Sequence, residues 1–421
     1  MKSPLLQKKV LSWALYDWAN SAFATTVMVV FFPLYFKTVL ASDLADSVST
    51  FWLGMANGLS SFLLAVMAPW LGALADKAGS HTRFLLLFTI IGVVPTAALA
   101  FVGPTSWSFA AVLFGIASLG FWGGLIFYDS MLVQVAPPGR TDSVSGFGYA
   151  LGYLGGGVLL TINVVMYAKP ALFGLASPAD AIRASFVTVA VWWAVFAIPL
   201  LWRKSTAPAS SIGLGTAARA GFAELLSTFH ELRKYRAAIL FLLAYWMYID
   251  GVNTIMKMAV DYGLALKFPA DSLIMGILVI QYVGLPATLL FGYLGDRISP
   301  LLGIFIAIVV YCGVTIYAVF MTQISEFYVM AVAIGCVQGA IQSMSRSYYS
   351  RLIPVDRAGE FYGFYNMMGK FAAVLGPMLM GTTALLTGDT RTSIVSLVVL
   401  FVGGAIMLVF AARHRPVAPL A

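Results

Sequence analysis

The chain has 421 residues, of which 61% are hydrophobic and only 10% charged, and its mean hydropathy is +0.91. Soluble domains carry about 25% charged residues, so this composition excludes a water-soluble globular protein and makes lipid the solvent for most of the chain. The net charge of +8 then bears on membrane topology, and no nucleic-acid partner is expected.

A membrane-spanning helix needs about 20 predominantly apolar residues. Twelve segments meet that requirement in chain order: 11–36, 48–74, 84–103, 107–134, 143–168, 182–202, 236–262, 271–295, 300–320, 326–350, 361–387 and 391–412. The basic N-terminus, MKSPLLQKKV, precedes the first. That run is too long for a signal peptide, contains Asp17 and lacks a small-residue cleavage site, so it is expected to stay as the first helix. Cys312 and Cys336 fall inside apolar segments and imply neither a disulfide framework nor a metal site.

The longest polar interruption, 203–235, is a linker that begins loose and becomes an amphipathic helix near 217–234, with Phe222, Leu225, Leu226 and Phe229 on one face. Its GLGTAARAG stretch lacks the Gly-Lys-Ser/Thr ending of a phosphate loop. The linker divides the chain into a six-helix bundle over 1–202 and another over 236–421. With the N-terminus in the cytoplasm, seventeen of the 25 Lys and Arg residues lie on that side and five on the other, while Lys257, Arg346 and Lys370 stay inside segments. The bias follows the positive-inside rule and places both termini in the cytoplasm. The basic residues are then mostly topology signals and contacts to anionic lipid.

The two halves repeat. Gly72 and Asp76 after segment two match Gly292 and Asp296 after segment eight. At a constant offset of 217, Ser130, Pro137, Arg140, Gly146, Phe147 and Gly152 are identical to Ser347, Pro354, Arg357, Gly363, Phe364 and Gly369. Segment one carries Asp17-x-x-Asn20 and segment seven Asp250-x-x-Asn253. Two parallel six-helix repeats joined by a central loop are the plan of a major facilitator transporter.

YDWANSAF in segment one, GYALGYLGGGVLL (148–160) and GFYNMMGKF (363–371) resemble the vacuole-effluxer family, which includes the autophagy-related vacuolar amino-acid exporter and many bacterial relatives. The resemblance spans nearly the whole chain. It implies an all-α major facilitator fold and export of small solutes, amino acids first. The GALADK and GYLGDR loops resemble the superfamily's Gly-x-x-x-Asp-Arg element, which latches the cytoplasmic helix ends. Gly72, Asp76, Arg83, Arg140, Gly292, Asp296, Arg297 and Arg357 are expected to gate, with Lys77 standing where the first copy would carry Arg.

An ionisable group at a helix centre costs several kcal/mol in lipid unless it meets partners or water, so intramembrane polar residues mark a pathway or a packed charge partner. Asp250, Asn253, Thr254, Lys257 and Asp261 form one stripe on a helix, as do Asp17, Asn20 and Ser21. Gln338, Gln342, Arg346 and Tyr349 share a face of segment ten, and Tyr362, Asn366 and Lys370 one of segment eleven. Asp129 and Arg346 occupy equivalent positions in the two halves and would face each other across a central cavity. Such a pair can hold the ammonium and carboxylate of a zwitterion, Arg being suited to bidentate carboxylate binding, or it can close one face as a salt bridge. Asp17, Asn20, Asp129, Asp250, Asn253, Lys257, Gln342, Arg346, Asn366 and Lys370 are the candidates for substrate binding or coupling.

Gly148, Gly152 and Gly156 let helix backbones approach, and Gly376-Pro377 predicts a kink. Tyr16, Trp18, Tyr128 and Tyr365 are candidate pocket walls. His81, His230 and His414 fall outside the segments, so proton coupling would use Asp17, Asp129 or Asp250. An enzyme lacks the nucleophile, base or metal ligands it needs, and a receptor lacks a large soluble domain. No cofactor is expected. A gradient-driven monomeric transporter of amino acids in a bacterial inner membrane is the first reading, with small peptides, other organic ions or a non-transporting receptor as alternatives.

Overall fold

The computed structural model describes residues 4–203, 216, 219–223, 232–372, 375–387 and 390–414. Lipid offers no hydrogen bonds to backbone, so long apolar runs satisfy their N–H and C=O groups internally as helices. The N-terminal half comprises α1 (Lys8–Leu40), α2 (Asp46–Ala78), α3 (His81–Ala98), α4 (Trp107–Ser130), α5 (Thr141–Ala168) and α6 (Pro178–Leu201). α1 starts as an α-helix and widens into π-helical winding over Phe23–Phe31 and Phe36–Leu40. The C-terminal half comprises α7 (Arg236–Ala265), α8 (Ala270–Arg297), α9 (Pro300–Phe320), α10 (Ile324–Ser350), α11a (Ala358–Phe371), α11b (Leu375–Thr387) and α12 (Val398–Arg413).

Local sequence sets several ends. α2 stops at Gly79, whose φ of 58° gives the left-handed cap that glycine adopts without strain. α6 starts at Pro178 behind Ser177, which accepts the Asp180 N–H. Gln323 and Glu326 form a reciprocal capping box at the start of α10. The expected helix over 217–234 lies largely outside the described residues.

Among the described residues, eleven helices are long and apolar enough to cross a membrane, and the protein is a multi-pass integral membrane protein. The expected eleventh segment is instead split into α11a and α11b. The split precedes the expected Gly376-Pro377 kink by a turn.

Each half has its own apolar core. Phe23 packs on Trp193 at 5.5 Å between ring centroids in the first, and Tyr311 on Phe401 at 5.5 Å in the second. Val29, Phe62, Val94, Val309, Phe320 and Val399 are each more than half exposed, which suits a surface facing lipid tails. Lys9 Nζ donates to the Gln134 carbonyl at 3.5 Å and Arg203 Nη1 to Ser12 Oγ at 3.3 Å. The start of α1 and the ends of α4 and α6 therefore share one face, the terminal face.

The halves meet at two crossings related by the repeat. α2 packs on α11a, where Gly72 abuts the Gly359 carbonyl so closely that any side chain would collide. α5 packs on α8, where a Cβ on Gly146 would come within 3.1 Å of Gly292 Cα.

Candidate functional site

Arg346 near the end of α10 is 1% exposed, and Asp129 near the end of α4 is 4% exposed. They meet across the interface with Arg346 Nη1 donating to Asp129 Oδ1 at 3.0 Å. The guanidinium spends two further donors on α5, with Nε on Ser145 Oγ at 3.1 Å and Nη2 on the Ser145 carbonyl at 2.9 Å. Its faces lie against Trp13, Tyr128 and Tyr149, 4.9, 5.4 and 4.3 Å from their centroids. Asn366 of α11a donates to the second Asp129 oxygen at 3.1 Å, and the Tyr362 hydroxyl to the Arg346 carbonyl at 2.8 Å. A guanidinium has five in-plane donors and no acceptor, and here three of them meet oxygens at the edge while rings lie against the faces. Five helices from both halves, α1, α4, α5, α10 and α11a, thereby stand at one point.

Asp17 accepts from the Tyr128 hydroxyl at 3.2 Å and from Ser21 Oγ at 3.3 Å. A Cβ at Gly152 of α5 would lie 3.1 Å from its carboxylate, so the glycine stripe serves the α1–α5 contact. Asn20 is 1% exposed and its Nδ2 finds no partner among the described residues. Gln342 accepts from the Tyr153 hydroxyl of the other half at 3.3 Å. Lys370 lies over the Trp122 ring of α4. Of the candidate pocket walls, Tyr16 is bound to Thr89 at 3.0 Å, Trp18 stacks on Trp192 and Tyr365 stacks on Tyr245.

Toward the terminal face, each half holds a helix start of the other. Asp76 of α2 accepts the N–H groups of Gly359 and Glu360, at 3.0 and 2.8 Å, at the head of α11a. Asp296 of α8 accepts those of Asp142 and Ser143, at 2.9 and 3.2 Å, at the head of α5. The first N–H groups of a helix lack internal partners, and a carboxylate there is stabilised by both hydrogen bonds and the helix dipole. Because 142 and 359 are repeat equivalents, as are 76 and 296, the two latches are reciprocal. His81 Nε2 lies 3.1 Å from Asp76 Oδ1, Arg351 Nη2 2.5 Å from Asp142 Oδ2, and Arg357 Nη2 2.9 Å from Glu360 Oε2.

These contacts redistribute the gating residues expected from sequence. Gly72, Asp76, Gly292, Asp296 and Arg357 sit in the latches. The Arg83 and Arg140 side chains are exposed and make no ion pair among the described residues, and Arg297 lies 4.3 Å over Tyr293 on its own helix. His81, Arg351, Asp142, Ser143 and Glu360 also take part in these contacts. Ser145, Tyr149 and Trp13 around Arg346 were likewise not singled out by the sequence. Asp142 and Glu360, acidic residues in the first turn of a helix, were the signal available for two of them.

Within the Asp250 stripe, the described side chains of Asp250 and Asn253 contact the ends of α11a and α11b. Asp250 is fully buried and accepts the N–H groups of Leu375 and Gly376 at 2.9 Å each, capping α11b. Asn253 Nδ2 donates to the Ala372 carbonyl at 3.0 Å, just past the end of α11a. The motif thus braces both sides of the broken helix. The side chains of Lys257 and Asp261 lie outside the described ones.

The geometry has known counterparts. The profile of the family described as "Vacuole effluxer Atg22 like" matches residues 47–138 and 133–418. An uncharacterized MFS-type transporter, YxiO of Bacillus subtilis, is 38% identical over 96% of this chain and 94% of its own. Autophagy-related protein 22 of Yarrowia lipolytica is 31% identical over 62% of this chain and 48% of its own. Among solved structures, the major facilitator transporter FucP in the outward conformation superposes with a TM-score of 0.72 at 12% identity, covering 97% of this chain and 99% of that one. The human organic anion transporter MFSD10 does so with a TM-score of 0.71 at 12% identity, covering 95% and 99%. Paired bundles, reciprocal latches and a charge pair on the repeat axis are thus built on the major facilitator fold, and the chain is a transporter of that type, not an enzyme, belonging to the Atg22-like vacuole effluxer family.

Proposed function

We propose that the protein is a secondary active exporter of small zwitterionic solutes, amino acids first among them, working by alternating access of its two halves. The observation that carries this reading is the Asp129–Arg346 pair at 3.0 Å on the repeat axis. A carboxylate and a guanidinium on opposite halves present the two charges that an ammonium and a carboxylate need. In the arrangement described they neutralise each other behind the two latches. When the latches release, the halves part at the terminal face, and a zwitterion replaces each partner with an end of its own. The pair is then both gate and site.

The excess of Lys and Arg on the terminal side supports a cytoplasmic terminal face in a bacterial inner membrane, and the effluxer description of the family supports export. The chain carries no ATP-binding motif, so a gradient supplies the energy, with protons a candidate coupling ion, and one chain suffices as the working unit. The test is counterflow in liposomes: purified protein, vesicles preloaded with the twenty amino acids, and uptake of each labelled one. Exchange of a subset, lost in Arg346→Ala, supports the reading, and wild-type exchange by Arg346→Ala overturns it.

A second reading, organic anions, draws on Lys370, which adds a cation over Trp122 beside the pair, and on the likeness in fold to MFSD10, a human organic anion transporter. Exchange of labelled organic anions without any amino acid would favour it.

A further inference from the structure

On the membrane flank of the N-terminal half, α3 and α6 stay in contact from the end where Arg183 Nε donates to the Ala100 carbonyl, just past α3, at 2.6 Å, to a crossing near their middles. There the Trp193 ring fills the space that a side chain on Gly92 would need. From that crossing the helices part toward the terminal face and leave a groove of about 510 Å³. Leu86, Ile90 and Val94 of α3 form one wall, and Ala194, Ile198 and Trp202 of α6 the other. Leu86, Ile90, Val94 and Ile198 are between 43% and 60% exposed, and Trp202, at the mouth, is 84% exposed.

The volume lies within the roughly 300–1,000 Å³ of ligand pockets. Its apolar walls alone select nothing, because bulk lipid tails are as apolar as the groove and no hydrophobic gain attends transfer between them. Selection must come from the mouth. Arg83 is three residues before Leu86 and seven before Ile90, so it stands on the groove face of α3. It is exposed and makes no ion pair among the described residues. Arg203 follows Trp202 and spends one nitrogen on Ser12. An indole at the interface and two guanidiniums above an acyl-sized groove match the headgroup region of an anionic lipid.

We propose that this groove holds one anionic phospholipid of the leaflet at the terminal face, its acyl chain between α3 and α6 and its phosphate at Arg83 beside Trp202. The site is separate from the Asp129–Arg346 pair and does not depend on what is transported. Its selectivity follows headgroup charge and not chain length.

The test uses the full chain in phosphatidylcholine membranes containing spin-labelled phosphatidylglycerol or spin-labelled phosphatidylcholine, with the immobilised fraction of each read by electron paramagnetic resonance. The wild type is expected to retain phosphatidylglycerol over phosphatidylcholine. Arg83→Gln should lower that preference about fivefold, the share of one basic residue near a membrane surface. Val94→Trp, which adds bulk only on an exposed wall, should remove the immobilised phosphatidylglycerol. Equal retention of the two lipids by the wild type overturns the proposal, as does an unchanged preference in both variants when their melting temperatures match the wild type.

Discussion

The carboxylate of Asp250 on α7 accepts the backbone N–H of Gly376 at 2.9 Å, at the very start of α11b. The same carboxylate accepts the N–H of Leu375 at 2.9 Å, and Asn253 one turn on donates its Nδ2 to the Ala372 carbonyl. A broken helix in a membrane survives only where other groups satisfy its freed backbone, and this motif supplies them on both sides. Asp250→Ala should lower stability by about 1–3 kcal/mol, the cost of leaving a buried polar group unpaired. Asp250→Asn, which keeps an acceptor, should cost less. Thermal melting together with faster hydrogen exchange at residues 375–376 checks this, and unchanged exchange in Asp250→Ala contradicts it.

Asp76 and Asp296 each accept the first N–H groups of a helix of the other half, at two separate crossings. A helix cap of this kind contributes about 1 kcal/mol, and 1.4 kcal/mol is tenfold in an equilibrium constant. In a background with Cys312 and Cys336 replaced by Ser, a cysteine at Met367, which packs against the N-terminal core, reports opening. Asp76→Asn and Asp296→Asn should each raise its labelling rate about fivefold, and together they should multiply, as distant sites do.

Gly72 touches the Gly359 carbonyl, whereas Gly58 on the same helix has nothing within 4 Å of an added Cβ. Gly72→Ala should push α2 from α11a, raise labelling at Met367→Cys and slow transport severalfold. Gly58→Ala should leave both near wild type. Equal effects of the two would show that the close crossing has no mechanical role.

Removing one member of a buried ion pair strands the other, at about 3–5 kcal/mol. Asp129→Asn and Arg346→Gln should each destabilise the protein strongly, and the double variant should lose markedly less than their sum. A double-mutant cycle in denaturant measures this coupling, and additive losses would mean the pair does not interact.

The sequence displayed the repeat, and with it the Asp129–Arg346 relation, because an offset of 217 is visible as identities that begin at the residue after each. It displayed Asp76 and Asp296 but not their partners, since a backbone N–H at a helix start belongs to no residue type. Hence Gly359 and Ser143, and the supports His81 and Arg351, were not legible. The arginines Arg83, Arg140 and Arg297 were assigned by loop position, yet an arginine near a helix end reaches lipid or solvent as readily as a partner. The break in α11 was half legible. Pro377 announced a disturbance, but its place depended on Asp250, more than a hundred residues away, which the spacing alone suggested as pathway lining.

The central claim is a site with two opposite charges for a zwitterion. It is tested most directly by competition in the counterflow assay, using an amino acid found to exchange, its methyl ester and its N-acetyl derivative. The ester lacks the anion that Arg346 would hold, and the acetylated form lacks the cation that Asp129 would hold. The account predicts that only the intact zwitterion competes at low concentration, and that this competition disappears in Arg346→Ala. Equal competition by the ester or the acetyl derivative would contradict it.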